Sequence, residues 1–272
     1  MTALQKVIKY CAIDFAIFLI VSIISGICGT VSAIPFLLGG NAAGEIQTHS
    51  VSGEIENLKI EVSAAALEIV SGSSFSVESN HKYLTVKEDN GSLNISEEKI
   101  FGGVSSDGVT VLLTVPEEFV FEDAQISTGA GKVSIDTLCA NTLELDLGAG
   151  SADIGCLNVS SAARISGGTG KLAIQSGQIH DLSMDLGVGK LELTGKLTGN
   201  CTMDYGIGDA ELNLLGKKED YKIEIDKGVG SATLDGMAMA DDSVYGGGEN
   251  RIDIDGGVGS VRINFKEASD KK

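Results

Sequence analysis

Seven times between residues 126 and 265 an apolar-alternating run is broken by Gly-x-Gly. The pairs are Gly129/Gly131, Gly148/Gly150, Gly168/Gly170, Gly187/Gly189, Gly206/Gly208, Gly228/Gly230 and Gly257/Gly259. Their first glycines are spaced by 19, 20, 19, 19, 22 and 29 residues. A fixed period near twenty constrains the fold more than any local motif, because each unit is too short to bury its own apolar face and must stack on its neighbours.

Parity within each copy says how the chain bends. Five, three and one residues before the first glycine the positions are mostly apolar, as in Leu143, Leu145 and Leu147. The residue between the glycines shares that parity: Ala130, Ala149, Thr169, Val188, Ile207, Val229 and Val258. Beyond the second glycine the apolar pair shifts by one, to Val133/Ile135, Leu172/Ile174, Leu191/Leu193 and their equivalents. A straight strand would turn one of these sets to water. A sharp corner at the second glycine lets both short strands face one interior, and glycine tolerates the backbone that such a corner needs. The pattern predicts an all-β chain, a single-stranded parallel β-helix (β-solenoid) of about 19–20 residues per coil, with coils ~4.8 Å apart.

Composition agrees: 36 glycines, two prolines and no tryptophan suit a turn-rich β protein. Of 20 Lys/Arg and 38 Asp/Glu, only Lys6, Lys9 and Asp14 precede residue 41. The remainder therefore sets 18 basic against 37 acidic residues, a surface that repels phosphate backbones and argues against nucleic acid as a partner. Cys11 and Cys28 lie in the apolar amino-terminal segment and Cys139, Cys156 and Cys201 occupy unrelated phases of the repeat, so the five form neither a disulfide framework nor a metal spacing.

Read in order, residues 1–9 form a short cytoplasmic amino terminus. Residues 10–38 are apolar enough over Phe15 to Leu38 for one transmembrane helix, an uncleaved signal anchor in the lipid bilayer. Lys6 and Lys9 before it place the amino terminus inside and the rest outside the cytoplasm, so the expected location is the cell membrane, single-pass, with an extracytoplasmic domain. Residues 39–54 read as a linker, 55–125 as irregular coils capping the solenoid, 126–265 as its regular part and 266–272 as a tail. The segment 236–249, which lengthens the last interval, reads as a projecting loop.

Gly129-Ala-Gly-Lys132 and Gly168-Thr-Gly-Lys171 are not phosphate loops, since an apolar strand residue follows each lysine and the phrase recurs in every coil. Two residues before the first glycine stand Ser127, Asp146, Ser166, Asp185, Asp204, Asp226 and Asp255. These carboxylates point outward and suit Asx turns at the corner. The alternative is a divalent-cation column through Asp185, Asp204, Asp226 and Asp255. Lys132, Lys171 and Lys190 share the position three after the first glycine. His49, His81 and His180 are isolated in the sequence. No catalytic set and no cofactor site emerges.

The run Val109-Thr-Val-Leu-Leu-Thr-Val-Pro116, the recurring Gly-x-Gly strands and the closing Asn250-Arg-Ile-Asp-Ile-Asp-Gly-Gly-Val-Gly-Ser-Val-Arg-Ile-Asn-Phe265 resemble the bacterial family of unknown function that carries the label adhesin. The resemblance covers roughly 55–265. It implies a right-handed parallel β-helix, commonly membrane-attached, with some relatives in cell-envelope stress systems and no established catalytic residues. The expected function is binding rather than catalysis: a membrane-tethered adhesin, envelope scaffold or envelope-stress component. Its partners would be a cell-wall component or an envelope protein. The alternatives are a polysaccharide-active β-helix enzyme and a signalling module regulating a partner through the membrane.

Overall fold

Three short sides per coil enclose an apolar interior, and the strand residues predicted to face it do so. Leu143 and Leu145 are buried on the first side, Ala152 and Ile154 on the second, Leu157 and Val159 on the third. The computed structural model describes residues 40–98, 104–105 and 108–266. The expected transmembrane helix at 10–38, with Cys11 and Cys28, lies outside the described residues, as do 1–9 and 267–272. Among the described residues no helix is long and apolar enough to cross a membrane.

The chain divides into two units, Met1–Ala42 with Lys99–Asp107, and Ala43–Glu98 with Gly108–Lys272. In the first, Gly40–Asn41 pairs in parallel with Val104–Ser105. The second is the solenoid. Its coils stack in parallel register: Ile165 on Met184, Met184 on Met203, Met203 on Ile254. Like side chains form continuous buried columns, which is how a twenty-residue unit acquires a core.

The second glycines explain the corner. Gly131, Gly150, Gly170, Gly189, Gly208 and Gly259 have φ between +138° and +150°, where a side chain is strained. A Cβ at Gly189 would also sit 1.7 Å from the carbonyl oxygen of Gly170 in the coil beneath. The corner is where neighbouring backbones come closest.

Gly230, expected to bend its coil in the same way, does not. It lies outside the positive-φ set, and the left-handed residue of that coil is instead the first glycine, Gly228, at φ +56°. The strand breaks there as well, ending at Asp226 and resuming at Val229, whereas the other Gly-x-Gly corners run as unbroken strand. The bend has moved two residues back because side chains hold it. Asp226 Oδ1 accepts the Gly228 N–H and Asp241 Oδ1 accepts the Lys227 N–H, both at 3.0 Å. Gly230 still needs to be glycine, for contact rather than conformation: a Cβ there would lie 1.8 Å from the Gly259 carbonyl oxygen.

Chain order and spatial order part at both ends. The strand Asn250–Lys266 does not follow the Gly228 coil outward. It slots between Asn200–Leu215 on one side and Tyr221–Asp226 with Val229–Leu234 on the other, parallel to all three. The corners therefore stack as 129, 148, 168, 187, 206, 257, 228, whereas the repeat pattern predicts them in chain order. The intervals of 22 and 29 residues are the lengths needed to skip a level and return.

Residues 236–249 are consequently not a projecting loop. Met237–Ala238 and Ser243–Gly246 run antiparallel along the outer edge of the skipped-ahead coil and close the end. One turn of 3-10 helix, Lys218–Asp220, makes the jump. Lys218 binds Asp235 in an ion pair, and Asp235 accepts the N–H of Phe265 at 2.9 Å. Tyr221, fully buried, donates its hydroxyl to the Leu215 carbonyl at 3.0 Å.

The amino end repeats the device. Asn57–Ala64 and Ala66–Gly72 form the first coil, and the regular part builds on it from Asp123 onward. Its other side is covered by Ser92–Glu97 and Thr110–Pro116, also parallel. Antiparallel strands Leu84–Asp89 and Ser76–His81 lie beyond these, and Ala43–Ser50 pairs antiparallel with Ser76–His81. The stretch 39–54, read above as a linker, thus contains an edge strand. Phe119 packs edge-on against Phe75 and Phe121 at 4.9 and 4.8 Å, and Phe75 lies tilted 6.1 Å from Phe121, where the chain crosses to the other side of the first coil.

Candidate functional site

Another expectation fails at the corner, and the failure creates a concavity. The residues between the glycines do not face the core: Ala130, Ala149 and Val229 are exposed, and Thr169, Val188, Ile207 and Val258 half-buried. With two glycines of extended or left-handed backbone around it, this residue sits on the vertex and its side chain leaves the interior. The floor beside it is bare backbone. What fills or exposes that floor is the residue just before the first glycine, which runs Thr128, Leu147, Gly167, Leu186 and Tyr205 along the stack.

Leu186 lies across Gly167, so that a Cβ there would meet its Cδ2 at 2.6 Å. The Tyr205 ring lies over the next corner, and its hydroxyl donates to the carbonyl of Gly189. Burial pushes the Tyr205 phenol up to about 12, so it remains a donor across physiological pH. Between Leu147 at one end and Tyr205 at the other, the corner forms a shallow depression open to solvent. Ala149, Thr169, Val188 and Leu172 line it with apolar surface, and Lys171 and Lys190 form one wall.

The lysine wall is electrostatically distinct. Lys171 stacks on Lys190 in register, and both bind Glu192, at 2.8 and 2.5 Å. These two ion pairs hold the Glu192 carboxyl down at about 2 and raise Lys171. The depressed carboxyl stabilises the fold above its ordinary value of 4.5, and that contribution disappears as the pH falls toward 2. Glu192→Gln is therefore expected to lower the urea midpoint at neutral pH and to match the wild type near pH 2. An equal gap at both ends would show that the pairs contribute nothing to folding.

The aspartate column is real as geometry. Asp185, Asp204, Asp255 and Asp226 stack in register, in that spatial order, and all are exposed. Of the four, Asp226 alone makes the expected Asx bond, the one that holds the displaced bend at Gly228. Among the described residues no three His, Cys, Asp or Glu side chains converge as a metal site. Asp146 is half-buried in an earlier coil.

Of the histidines, His81 is not isolated. It is buried in the amino-terminal cap, its Nδ1 accepting the Tyr83 N–H at 3.1 Å and its Nε2 lying 3.3 Å from Glu97 Oε1. His180 pairs with Thr198 at 3.0 Å. Cys139 and Cys156 are half-buried free thiols that both accept from the Asn158 amide, at 3.6 and 3.4 Å. Cys201 is buried in the core, which pushes its thiol up to about 11. Sequence reading missed the depression, although the alternation of leucine, glycine, leucine and tyrosine before the corner glycines was its visible signal.

Stacked corners, parallel register and a closed edge at each end define an all-β, solenoid-like domain. The chain belongs to the Toastrack DUF4097 family, whose model matches residues 55–245. Among solved structures, it is similar to a "putative cell adhesion protein" from Clostridium sporogenes ATCC 15579. The identity is 17%, with 82% of this chain and 99% of that one covered and a TM-score of 0.38. It is also similar to a "putative adhesin" from Bacteroides fragilis NCTC 9343, at 14% identity, 83% and 100% coverage and a TM-score of 0.36. No curated protein matches the sequence.

Proposed function

We propose that this protein is an extracytoplasmic binding module, an adhesin-like or scaffold component of the cell envelope, held at the membrane by residues 10–38 with its amino terminus inside. Its coils wind right-handed, the sense that parallel β connections overwhelmingly adopt. The observation that carries the reading is the parallel register of the coils. It lines up outward side chains as columns along one rigid body, a surface suited to repetitive ligands and not to a single reacting bond. The acidic column Asp185, Asp204, Asp255 and Asp226 is the part of that surface where calcium would modulate binding.

The test is a pull-down from cell-wall and envelope fractions with the full-length protein in detergent, with and without calcium. Saturable retention of a wall polymer or an envelope protein is expected. Retention of neither, in either condition, would sink the proposal.

A further inference from the structure

The coil register brings together two cysteines that stand at unrelated phases of their own repeats. The coil of Gly148 rests on that of Gly129 with an offset of 19 residues, so that Gly155 sits over Asp136 and Asn158 over Cys139. Cys156, two residues before Asn158, shares its outward face, since Leu157 and Val159 are buried. The Asn158 amide oxygen accepts the Gln178 N–H at 3.0 Å. Its nitrogen is thereby aimed at both thiols, 3.6 Å from Cys139 Sγ and 3.4 Å from Cys156 Sγ. With one amide hydrogen to each, the sulfurs stand about 6 Å apart. The two Cα atoms, one coil and two residues apart, are separated by about 8 Å, beyond the ~7 Å that a disulfide bridges. Both residues are free, half-buried thiols.

We propose that Cys139 and Cys156 form a two-thiolate site for copper(I). Two metal–sulfur bonds of ~2.3 Å need sulfurs ~4.5 Å apart, a closure that rotation of the two side chains supplies without moving the backbone. The number of ligands chooses the ion. Among the described residues no third His, Cys, Asp or Glu joins the pair, so zinc would lack its usual set of four, and calcium and magnesium require oxygen. Copper(I) is soft, prefers thiolate and is satisfied by two ligands in line. Each thiol releases its proton to solvent as its Cu–S bond forms, and no electron moves, because the metal arrives as copper(I). The Asn158 amide then hydrogen-bonds the bound sulfurs, held in place by Gln178. A net charge of −18 draws cations to the surface. The site lies on the third side of the coil and the aspartate column on the first, so either can fail alone.

The experiment titrates the full-length protein in detergent, without oxygen, with copper(I) held by the coloured chelator bicinchoninate. Cys11→Ala/Cys28→Ala removes the amino-terminal thiols from the background. A single copper per chain is expected, bound tightly enough to bleach the chelator complex, and X-ray absorption should show sulfur neighbours only, two in number. Cys139→Ser and Cys156→Ser should each abolish this uptake, and Asn158→Ala should weaken it about tenfold. Cys201→Ala should leave it unchanged. Circular dichroism checks folding, and alanine at either position repeats the test should serine misfold. No uptake, or uptake that survives Cys139→Ser/Cys156→Ser, overturns the site. Zinc held as tightly as copper(I) overturns the choice of ion.

Discussion

Gly189→Ala is expected to lower the stability of the fold by several kcal/mol, roughly 2–6. Its Cβ would lie 1.7 Å from the Gly170 oxygen and 2.7 Å from the carbonyl carbon. Both are backbone atoms of a coil that is itself wedged against the one below. Neither can give way, since the Gly170 corner has the same 1.7 Å relation to Gly150. The φ of +150° adds strain of order 1–3 kcal/mol for any side chain, and overpacking against a rigid neighbour adds about as much again or more. Against a total stability of roughly 5–15 kcal/mol this is a large fraction.

Gly167→Ala is the control. Its Cβ meets only the Cδ2 of Leu186, the end of a flexible side chain, and a shift in urea midpoint worth about 1 kcal/mol or less is expected. Soluble yield and urea unfolding of the two variants decide the matter. A Gly189→Ala protein as stable as wild type would mean that the coils do not stack as described.

Ending the chain after Glu249 is expected to release two coils, not one. In an ordinary solenoid the carboxyl-terminal coil is the outermost, and trimming it exposes one interface. Here Asn250–Lys266 is the only parallel partner of Tyr221–Asp226 and of Val229–Leu234 among the described residues. Its removal takes away Ile252, Ile254, Val261 and Ile263, all buried, at about 1.5–3 kcal/mol each. It also leaves an empty layer about 4.8 Å thick. The Phe265 N–H no longer holds Asp235, and the Tyr221 ring loses its Phe265 neighbour at 5.5 Å. Hydrogen exchange should show residues 221–246 unprotected in the truncated protein while Leu182–Thr198 keeps its protection. Retained protection across 221–234 would show that this coil can re-dock on Asn200–Leu215 unaided.

How much of this was legible in the sequence follows from what each part of the fold rests on. The coil period, the corner and the inward pairs such as Leu191/Leu193 depend on local alternation and on glycine, and both are written residue by residue. The interlocked ends depend on which strand edge is free when a later segment arrives. Nothing in Asn250–Lys266 itself distinguishes stacking on Gly228 from stacking on Gly206, because the corner phrase is the same in every coil. Only the long spacings before Gly228 and Gly257 hinted at it. The shifted bend ahead of Gly230 was hidden for the same reason, since Gly228-Val-Gly230 reads like its six counterparts and Asp241, which helps to move it, lies in the closing segment. The vertex residues were misassigned on a related ground: Val188 and Ile207 carry core-like side chains, yet the corner backbone turns them outward. The lysine column was visible by phase, but its pairing with Glu192 needed the second strand of the coil to be placed.

The two interlocks also fix where such a molecule can change its length. A whole turn could be added or lost between residues 142 and 198, where each layer rests only on the layers before and after it in the chain. Nothing comparable is possible at either tip, where the polypeptide doubles back and every segment is clasped by one made earlier or later. Growth of this architecture is therefore confined to its waist, and its two tips travel as finished fittings.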